Sequence, residues 1–174
     1  LILGGNSDIA QALAEKYASN DYNIYLAGRN TEELKDLKNH IKEIYEVDVQ
    51  TFKFDVLEFY THRNVYNRLN IKPIGVICAD GYIGDQKRSE KDFLEAKKIV
   101  DINYTGLISI LNIIANDFET KQEGFIIGTG SLVGLNTGKT LYTYYSAKEG
   151  LTSYLSGIKN RLSQSNVNVL TIKP

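Results

Sequence analysis

The first ten residues, Leu1-Ile2-Leu3-Gly4-Gly5-Asn6-Ser7-Asp8-Ile9-Ala10, decide the fold. An apolar run too short for a helix ends in two glycines, and apolar residues at helical spacing then begin at Ile9. The pattern predicts a buried strand, a tight turn and the start of a helix, with Asp8 as its N-terminal cap. The start of such a helix offers N–H groups and the positive end of a dipole to an anion.

The same alternation of short apolar runs and amphipathic stretches continues to the end of the chain. It predicts strands near 1–4, 23–27, 49–54, 74–79, 124–129 and 167–172. Two long helices are predicted at about 89–117 and 142–164, and shorter ones carry Ile9, Leu13 and Tyr17, then Leu34, Leu37, Ile41 and Ile44, then Phe59, Val65 and Leu69. Strands buried between helices indicate an α/β fold, a three-layer doubly wound parallel sheet of the Rossmann type.

Composition narrows the class of protein. With 174 residues and 43% hydrophobic content, the chain is long enough for one buried core, so we expect a single domain over 1–174. The chain has 20 Lys plus Arg and 21 Asp plus Glu, so there is no excess of positive charge that would indicate a nucleic-acid or membrane partner. No apolar run reaches the length of a membrane span. Small molecules and copies of the same chain are the expected partners.

Cysteine and histidine usage points to a reducing compartment and to no metal site. Cys78 is the only cysteine, and the two histidines, His40 and His62, are far apart in the sequence. We therefore expect a cytoplasmic protein. The chain has no Met and begins inside a predicted strand, so we expect a fragment that is truncated at both ends.

The ends of the first three predicted strands carry the candidate nucleotide site. The glycine turn alone is as compatible with a structural role as with cofactor binding. After the second strand, Arg29 offers a planar fork suited to a 2′-phosphate, which favours NADP over NAD, although a solvated arginine is the alternative. After the third strand, Asp55 could accept a hydrogen bond from an adenine amino group, or could equally cap a helix.

Four polar positions have an order and spacing suited to carbonyl reduction. Tyr144 stands four residues before Lys148, Ser131 stands thirteen before Tyr144, and Asn103 precedes them. Residues four apart share a helix face, and an ammonium beside a phenol favours the phenolate, so we expect Lys148 to lower the pKa of Tyr144. Ser131 would donate to a carbonyl oxygen as charge develops there. The alternative is a packing tyrosine, a solvated lysine and a loop cap.

These segments together resemble the single-domain branch of the short-chain dehydrogenase/reductase family over all 174 residues. The resemblance rests on the loop 4–10, Asp55, Asn103, the run 124–131 and Tyr144-Tyr145-Ser146-Ala147-Lys148. The thirteen-residue interval argues against the larger sugar-nucleotide epimerases, which resemble this family. Two departures stand out: Asp8 and Ala10 replace loop glycines, and Cys78-Ala79-Asp80-Gly81 replaces Asn-Asn-Ala-Gly.

The resemblance implies hydride transfer between NAD(P) and a ketone or secondary alcohol. It implies the catalytic residues Asn103, which would hold a water, Ser131, Tyr144 and Lys148. It implies that the cofactor is bound by Gly4, Asn6, Ser7, Asp8, Ile9, Arg29, Asp55, Val56, Ala79, Gly81, Tyr144 and Lys148.

The resemblance also implies homodimers or homotetramers formed through the two long helices, and a substrate-covering segment beyond Pro174. Two other functions are open at this point. One is a catalytically silent NAD(P)-binding sensor or scaffold, which would bind the cofactor without turnover. The other is a methyl donor-binding enzyme, against which Gly28-Arg29 speaks because such enzymes carry an acid there.

Overall fold

The computed structural model describes residues 1–131 and 140–173, which form six strands and seven α-helices. These residues form two compact units. The first comprises Leu1–Asp55 and Val76–Asp80, and the second comprises Val56–Gly75 and the described residues from Gly81 onward. Pro174, after which the resemblance implies a further segment, lies outside the described residues. The expectation of a single domain stays a prediction.

The first unit is built on parallel strands in the order β3-β2-β1-β4. They are β1 (Ile2–Leu3), β2 (Ile24–Gly28), β3 (Val49–Lys53) and β4 (Gly75–Cys78), of which all but Gly75 belongs to this unit. Ile2 lies opposite Leu26 on one side and Ile77 on the other. The chain moves outward from β1 to β3 and returns beside β1 as β4, so the strand order reverses between β1 and β4. Ligands of such sheets bind beyond the carboxyl ends at this point.

Helices α1 (Asp8–Ala18) and α2 (Lys35–Tyr45) pack on the strands of the first unit. The buried face of α1 consists of Ala10, Ala14 and Ala18, whereas Ile9 is 46% exposed. In α2, Ile41 is buried but Ile44 is exposed. The helical period was therefore predicted correctly, but two of its large apolar residues do not mark the buried face. Alanines let α1 lie close to the sheet, which leaves no room there for an isoleucine.

The second unit contains the remaining helices and two strands. A 3₁₀ turn (Phe59–Thr61) leads into α3 (His62–Asn67), and after Gly81 come α4 (Gln86–Ser89), α5 (Phe93–Val100), a π-helical turn (Asp101–Thr105), α6 (Gly106–Lys121), β5 (Gly124–Thr129), α7 (Tyr142–Arg161) and β6 (Val167–Ile172). Strands β5 and β6 are parallel, with Gly124 opposite Val167. Helix α7 contacts both strands.

The predicted helix over 89–117 is divided in the structure. Asp92 caps α5 by accepting a hydrogen bond from the N–H of Leu94, so the helix begins at Phe93. The π turn inserts one extra residue before α6. Periodicity alone cannot show such an insertion, because apolar residues continue on both sides of it.

The helical segment Phe93–Lys121 is long and apolar enough to cross a membrane by length and composition, contrary to the expectation from the sequence. Half of an apolar 18-residue window of this segment is buried within the protein. Core helices of soluble proteins pass the same test of length and composition. Composition alone therefore does not separate these two kinds of helix.

Candidate active site

In the first unit, the turn after β1 approaches the end of β4 closely. Gly4 has a φ of +79°, and a methyl group added to it would lie 2.6 Å from the backbone nitrogen of Asp80 and 2.8 Å from the carbonyl carbon of Ala79. The N–H of Ala79 donates to the carbonyl of Leu3 at 2.9 Å, which holds the two strand ends together. Only glycine fits at position 4, because both the backbone angle and the space exclude a side chain.

Ser7, and not Asp8, caps helix α1. The backbone of Ser7 is extended, and its Oγ accepts a hydrogen bond from the N–H of Ala10 at 3.2 Å. The same hydroxyl donates to the carbonyl of Gly4 at 3.1 Å, which fixes the turn. Asp8 is the first helical residue, where its exposed carboxylate faces the positive end of the helix dipole. The prediction of Asp8 as the cap is therefore wrong by one residue.

Glu33 joins the glycine turn to the segment after β2, a contact that the sequence analysis missed. Its two carboxylate oxygens accept hydrogen bonds from the side-chain amides of Asn6, at 2.9 Å, and Asn30, at 2.8 Å. An exposed acid at the start of a helix has no distinctive sequence signal. The contact matters because it holds Asn6 in place beside the glycines of the turn.

The other candidate cofactor residues of this unit also follow the strands. Arg29 is exposed directly after β2, Asp55 is half-buried two residues after β3, and Ala79 follows β4. Because parallel strands end at the same edge of a sheet, these residues lie at the edge where the glycine turn lies. A turn that excludes a Cβ, a helix start and an exposed guanidinium suit the phosphates of a dinucleotide.

Replacing Gly4 by alanine is expected to lower the free energy of unfolding by about 2 kcal/mol or more. The cost has two sources. One is a positive φ in a non-glycine residue, and the other is a collision of the added methyl group with backbone atoms, which can move only together with the chain around them. Urea unfolding of the full-length protein, followed by circular dichroism, measures it. The matched control is Gly157→Ala in α7, where nothing lies within 4 Å of an added methyl group and alanine favours the helix. Equal stability of the two variants would contradict the close approach.

In the second unit, Lys148 and Tyr144 lie on the same face of α7. The side chain of Lys148 is only 2% exposed, and its Nζ donates to the carbonyl oxygen of Thr129, at the end of β5, at 3.0 Å. The same Nζ lies 5.9 Å from the centre of the Tyr144 ring. A lysine is rarely buried without polar partners, and the strand end provides one here.

The pKa of the Tyr144 phenol is raised above its ordinary value, first by burial and then by the nearby Tyr145 phenol. The two rings meet edge to face with centroids 5.5 Å apart. The sequence predicts a lowered pKa for Tyr144, because the spacing to Lys148 is visible in the sequence and the burial of the phenol is not. In the free protein, loss of water around the hydroxyl is the larger effect, and Tyr144 holds its proton firmly.

Asn103 lies in the π turn and is fully buried. Its amide donates to the carbonyls of Tyr82, at 2.6 Å, and Ile99, at 2.8 Å, and its Oδ1 accepts from the N–H of Tyr82 at 3.2 Å. A methyl group added to Gly81 would lie 3.6 Å from that Oδ1 and 3.9 Å from the Nζ of Lys148. Both amide hydrogens of Asn103 thus bind protein, and the water-holding role that the resemblance implies stays a prediction.

The positions of Ser131 and Val56 give little evidence for or against their predicted roles. Ser131 is half-buried and follows β5 after one intervening residue. Residues 132–139, which follow Ser131 directly, lie outside the described residues. Val56 is buried, and its carbonyl oxygen approaches Gly106 so closely that an added methyl group would collide with it. This packing explains Val56 without a ligand.

A buried acid that has no distinctive sequence signal orders the loop after β4. Glu95 is 5% exposed, and its Oε1 accepts hydrogen bonds from the phenol of Tyr82, at 2.9 Å, and from the N–H of Asp85, at 3.1 Å. These bonds lower the pKa of Glu95, the one from Tyr82 most. The Nζ of Lys98 lies 4.4 Å from the centre of the Tyr82 ring. In the sequence, Glu95 stands among lysines and reads as a solvated residue.

A parallel α/β sheet with a glycine turn at the reversal of its strand order is typical of nucleotide-binding proteins. A family model described as short chain dehydrogenase matches residues 1–174. The chain belongs to the short-chain dehydrogenase family, as the sequence predicts, and is a nicotinamide-dependent oxidoreductase with a small-molecule substrate.

Individual relatives agree with this family. An uncharacterised oxidoreductase of Mycobacterium tuberculosis is 31% identical over all of this chain and 71% of its own length. An NAD⁺-bound xylitol dehydrogenase is 20% identical, with a TM-score of 0.88 over 99% of this chain and 68% of its own. A short-chain dehydrogenase of Sphingobium yanoikuyae in complex with NADPH is 20% identical, with a TM-score of 0.87 over 99% and 71%. These superpositions confirm the predicted fold class and leave the choice between NAD and NADP open.

Proposed function

We propose that this protein is an NADP-preferring reductase that interconverts a ketone and a secondary alcohol, with Tyr144 as the acid and base. One observation carries the proposal. The buried ammonium of Lys148 is held by the carbonyl of Thr129, and it lies 5.9 Å from the centre of the Tyr144 ring on the same face of α7. A buried lysine with a fixed position beside a half-buried phenol is costly to maintain, which supports a functional reason for it.

The proposed chemistry divides among the residues of the second unit. Tyr144 donates its phenolic proton to the oxygen of the substrate carbonyl, and its raised pKa keeps that proton available at neutral pH. Lys148 supplies a fixed positive charge that favours the tyrosinate left behind. Ser131 donates a hydrogen bond to the same substrate oxygen. The bound cofactor supplies the hydride.

The proposed cofactor contacts lie in the first unit. The start of α1, capped by Ser7 and preceded by Gly4, would receive the pyrophosphate. Arg29 is exposed and, within the described part of the chain, has no ion-pair partner. Its guanidinium would bind a 2′-phosphate, the group that distinguishes NADP from NAD.

Replacing Arg29 by alanine is expected to weaken NADPH binding by about 10-fold or more and to leave NADH binding unchanged. The reason is the loss of charge-assisted hydrogen bonds to the 2′-phosphate alone. Isothermal titration of the full-length protein with each cofactor measures both affinities. Arg63→Ala, which removes an exposed arginine at the start of α3, is the matched control. Equal loss for both cofactors, or no loss for either, would exclude the 2′-phosphate contact.

Turnover itself is tested by NADPH oxidation at 340 nm with the full-length protein. The panel contains a keto sugar, a 3-oxoacyl thioester and a small aliphatic ketone, which span the chemical range that the family implies. Reduction of at least one, with loss of activity in Tyr144→Phe, is the expected result. Binding of NADPH without turnover of any of them would instead indicate the silent sensor or scaffold.

We further propose that the protein is cytoplasmic and forms homodimers or homotetramers. The support is the single cysteine, Cys78, and the family resemblance of the two long helical segments. Sedimentation of the full-length protein tests the oligomeric state.

A further inference from the structure

Helix α7, which carries Tyr144 and Lys148, lacks a cap of its own. Its N-cap residue is Leu141, which has no side-chain hydrogen-bond acceptor. The first bond of the helix runs from the N–H of Tyr145 to the carbonyl of Leu141 at 3.0 Å. The N–H groups of the preceding residues therefore need acceptors from elsewhere, and in most helices the N-cap side chain supplies one to the second or third helical residue.

Gln86 of α4 supplies that acceptor. Its Oε1 accepts a hydrogen bond from the N–H of Thr143, the second residue of α7, at 2.9 Å. The side chain is 7% exposed, and its Nε2 donates to the Oγ of Ser89 at 3.0 Å, which fixes the orientation of the amide. A glutamine 57 residues away in the sequence thus occupies the place of an N-cap side chain.

Two further contacts join α4 and the residue after it to the same turn of α7. The hydroxyls of Ser89 and Thr143 lie 3.5 Å apart, and the phenol of Tyr142 donates to the carboxylate of Glu90 at 3.2 Å. The first two residues of α7 are therefore held from outside the helix. Tyr144 is the next residue, so the placement of its ring depends on this junction.

We propose that Gln86 is a positioning residue for the reaction, acting through the cap that it provides to α7. The inference depends on the proposed role of Tyr144 as the acid. Without the acceptor, the part-buried N–H of Thr143 would lose its partner, and the first turn of α7 would fray or shift. Small displacements of a catalytic group are costly to the chemical step and leave cofactor affinity intact.

The test compares three substitutions in the full-length protein. Gln86→Leu removes the acceptor, Gln86→Asn keeps a buried amide but withdraws it by one methylene, and Gln86→Glu keeps an acceptor at the same reach. The carboxylate is favoured at a helix start. We expect kcat to fall about 10-fold or more in the first two. In Gln86→Glu it should remain near the wild-type value, and the NADPH dissociation constant should be unchanged in all three.

Hydrogen exchange separates positioning from general damage. The amide of Thr143 should exchange faster in Gln86→Leu and Gln86→Asn than in wild type or Gln86→Glu. Gln50→Leu, which removes an exposed glutamine from β3, is the control for glutamine loss. The activity substrate is whichever ketone of the panel the wild type reduces. If Gln86→Leu fails to fold, Gln86→Asn gives the same comparison.

Two results would overturn the inference while leaving the proposed function intact. One is wild-type kcat in folded Gln86→Asn together with fast exchange at Thr143. The other is a loss in Gln86→Glu as large as that in Gln86→Leu. Failure of the wild type to reduce any ketone is a different result, since it would remove the proposed function and, with it, the reason for positioning Tyr144.

Discussion

Replacing Tyr144 by phenylalanine is expected to lower kcat for ketone reduction by about 10²–10⁴-fold, the range that a positioned acid contributes. The ring remains, so packing against Tyr145 and the affinity for NADPH should be retained. Steady-state kinetics of the full-length protein, with cofactor affinity measured by fluorescence titration, checks both parts.

The matched control is Tyr154→Phe, which removes a phenol from a later turn of the same helix and should leave kcat within about 2-fold of wild type, as the loss of a group outside the chemical step would. Full turnover by Tyr144→Phe with every ketone that the wild type reduces would exclude Tyr144 as the acid.

The pH dependence gives a second check. Burial raises the pKa of Tyr144, so the phenol keeps its proton as pH rises toward its ordinary value of about 10. In the free protein, Tyr144 should therefore lose its proton only at a pH above that value.

Replacing Lys148 by methionine is expected to lower kcat by about 10²-fold or more, since it removes one fixed charge from the site. Methionine has nearly the same length and suits a position that is 2% exposed, so the protein should fold. The loss therefore reports the ammonium, which donates to the carbonyl of Thr129, and not a cavity.

Lys159→Met is the control, because Lys159 is an exposed lysine later in α7. The kinetics are measured beside near-ultraviolet circular dichroism, which reports on the packing of the tyrosines. Wild-type kcat in Lys148→Met with unchanged dichroism would mean that the buried ammonium has only a structural role.

The strands could be predicted well from the sequence because each buried strand is a short apolar run between glycine and polar residues. All six predicted strands exist, within two residues at each end. Helix interiors were predicted as well, but their buried faces were not always correct. Ile9 and Ile44 are exposed because neighbouring positions face the sheet, and periodicity alone does not reveal which face that is.

The candidate site was predictable where it depends on spacing along one element. Tyr144 and Lys148 share a helix face because they are four residues apart. Contacts between distant segments were not predictable, and Gln86, Glu33 and Glu95 all act through such contacts. The pKa of Tyr144 was predicted in the wrong direction for the same reason, since burial is a property of the fold and leaves no local mark.

The π turn has a consequence for sequence length. It places one extra residue between α5 and α6, and each residue of a helix advances the side chains by about 100° around the axis. Deleting one residue from Asp101–Thr105 would rotate every later side chain of α6 by that angle. The apolar stripe would then turn toward water, at the positions Leu107, Ile110, Leu111, Ile114 and Phe118. Redesign of this segment can change residue types but must conserve their number.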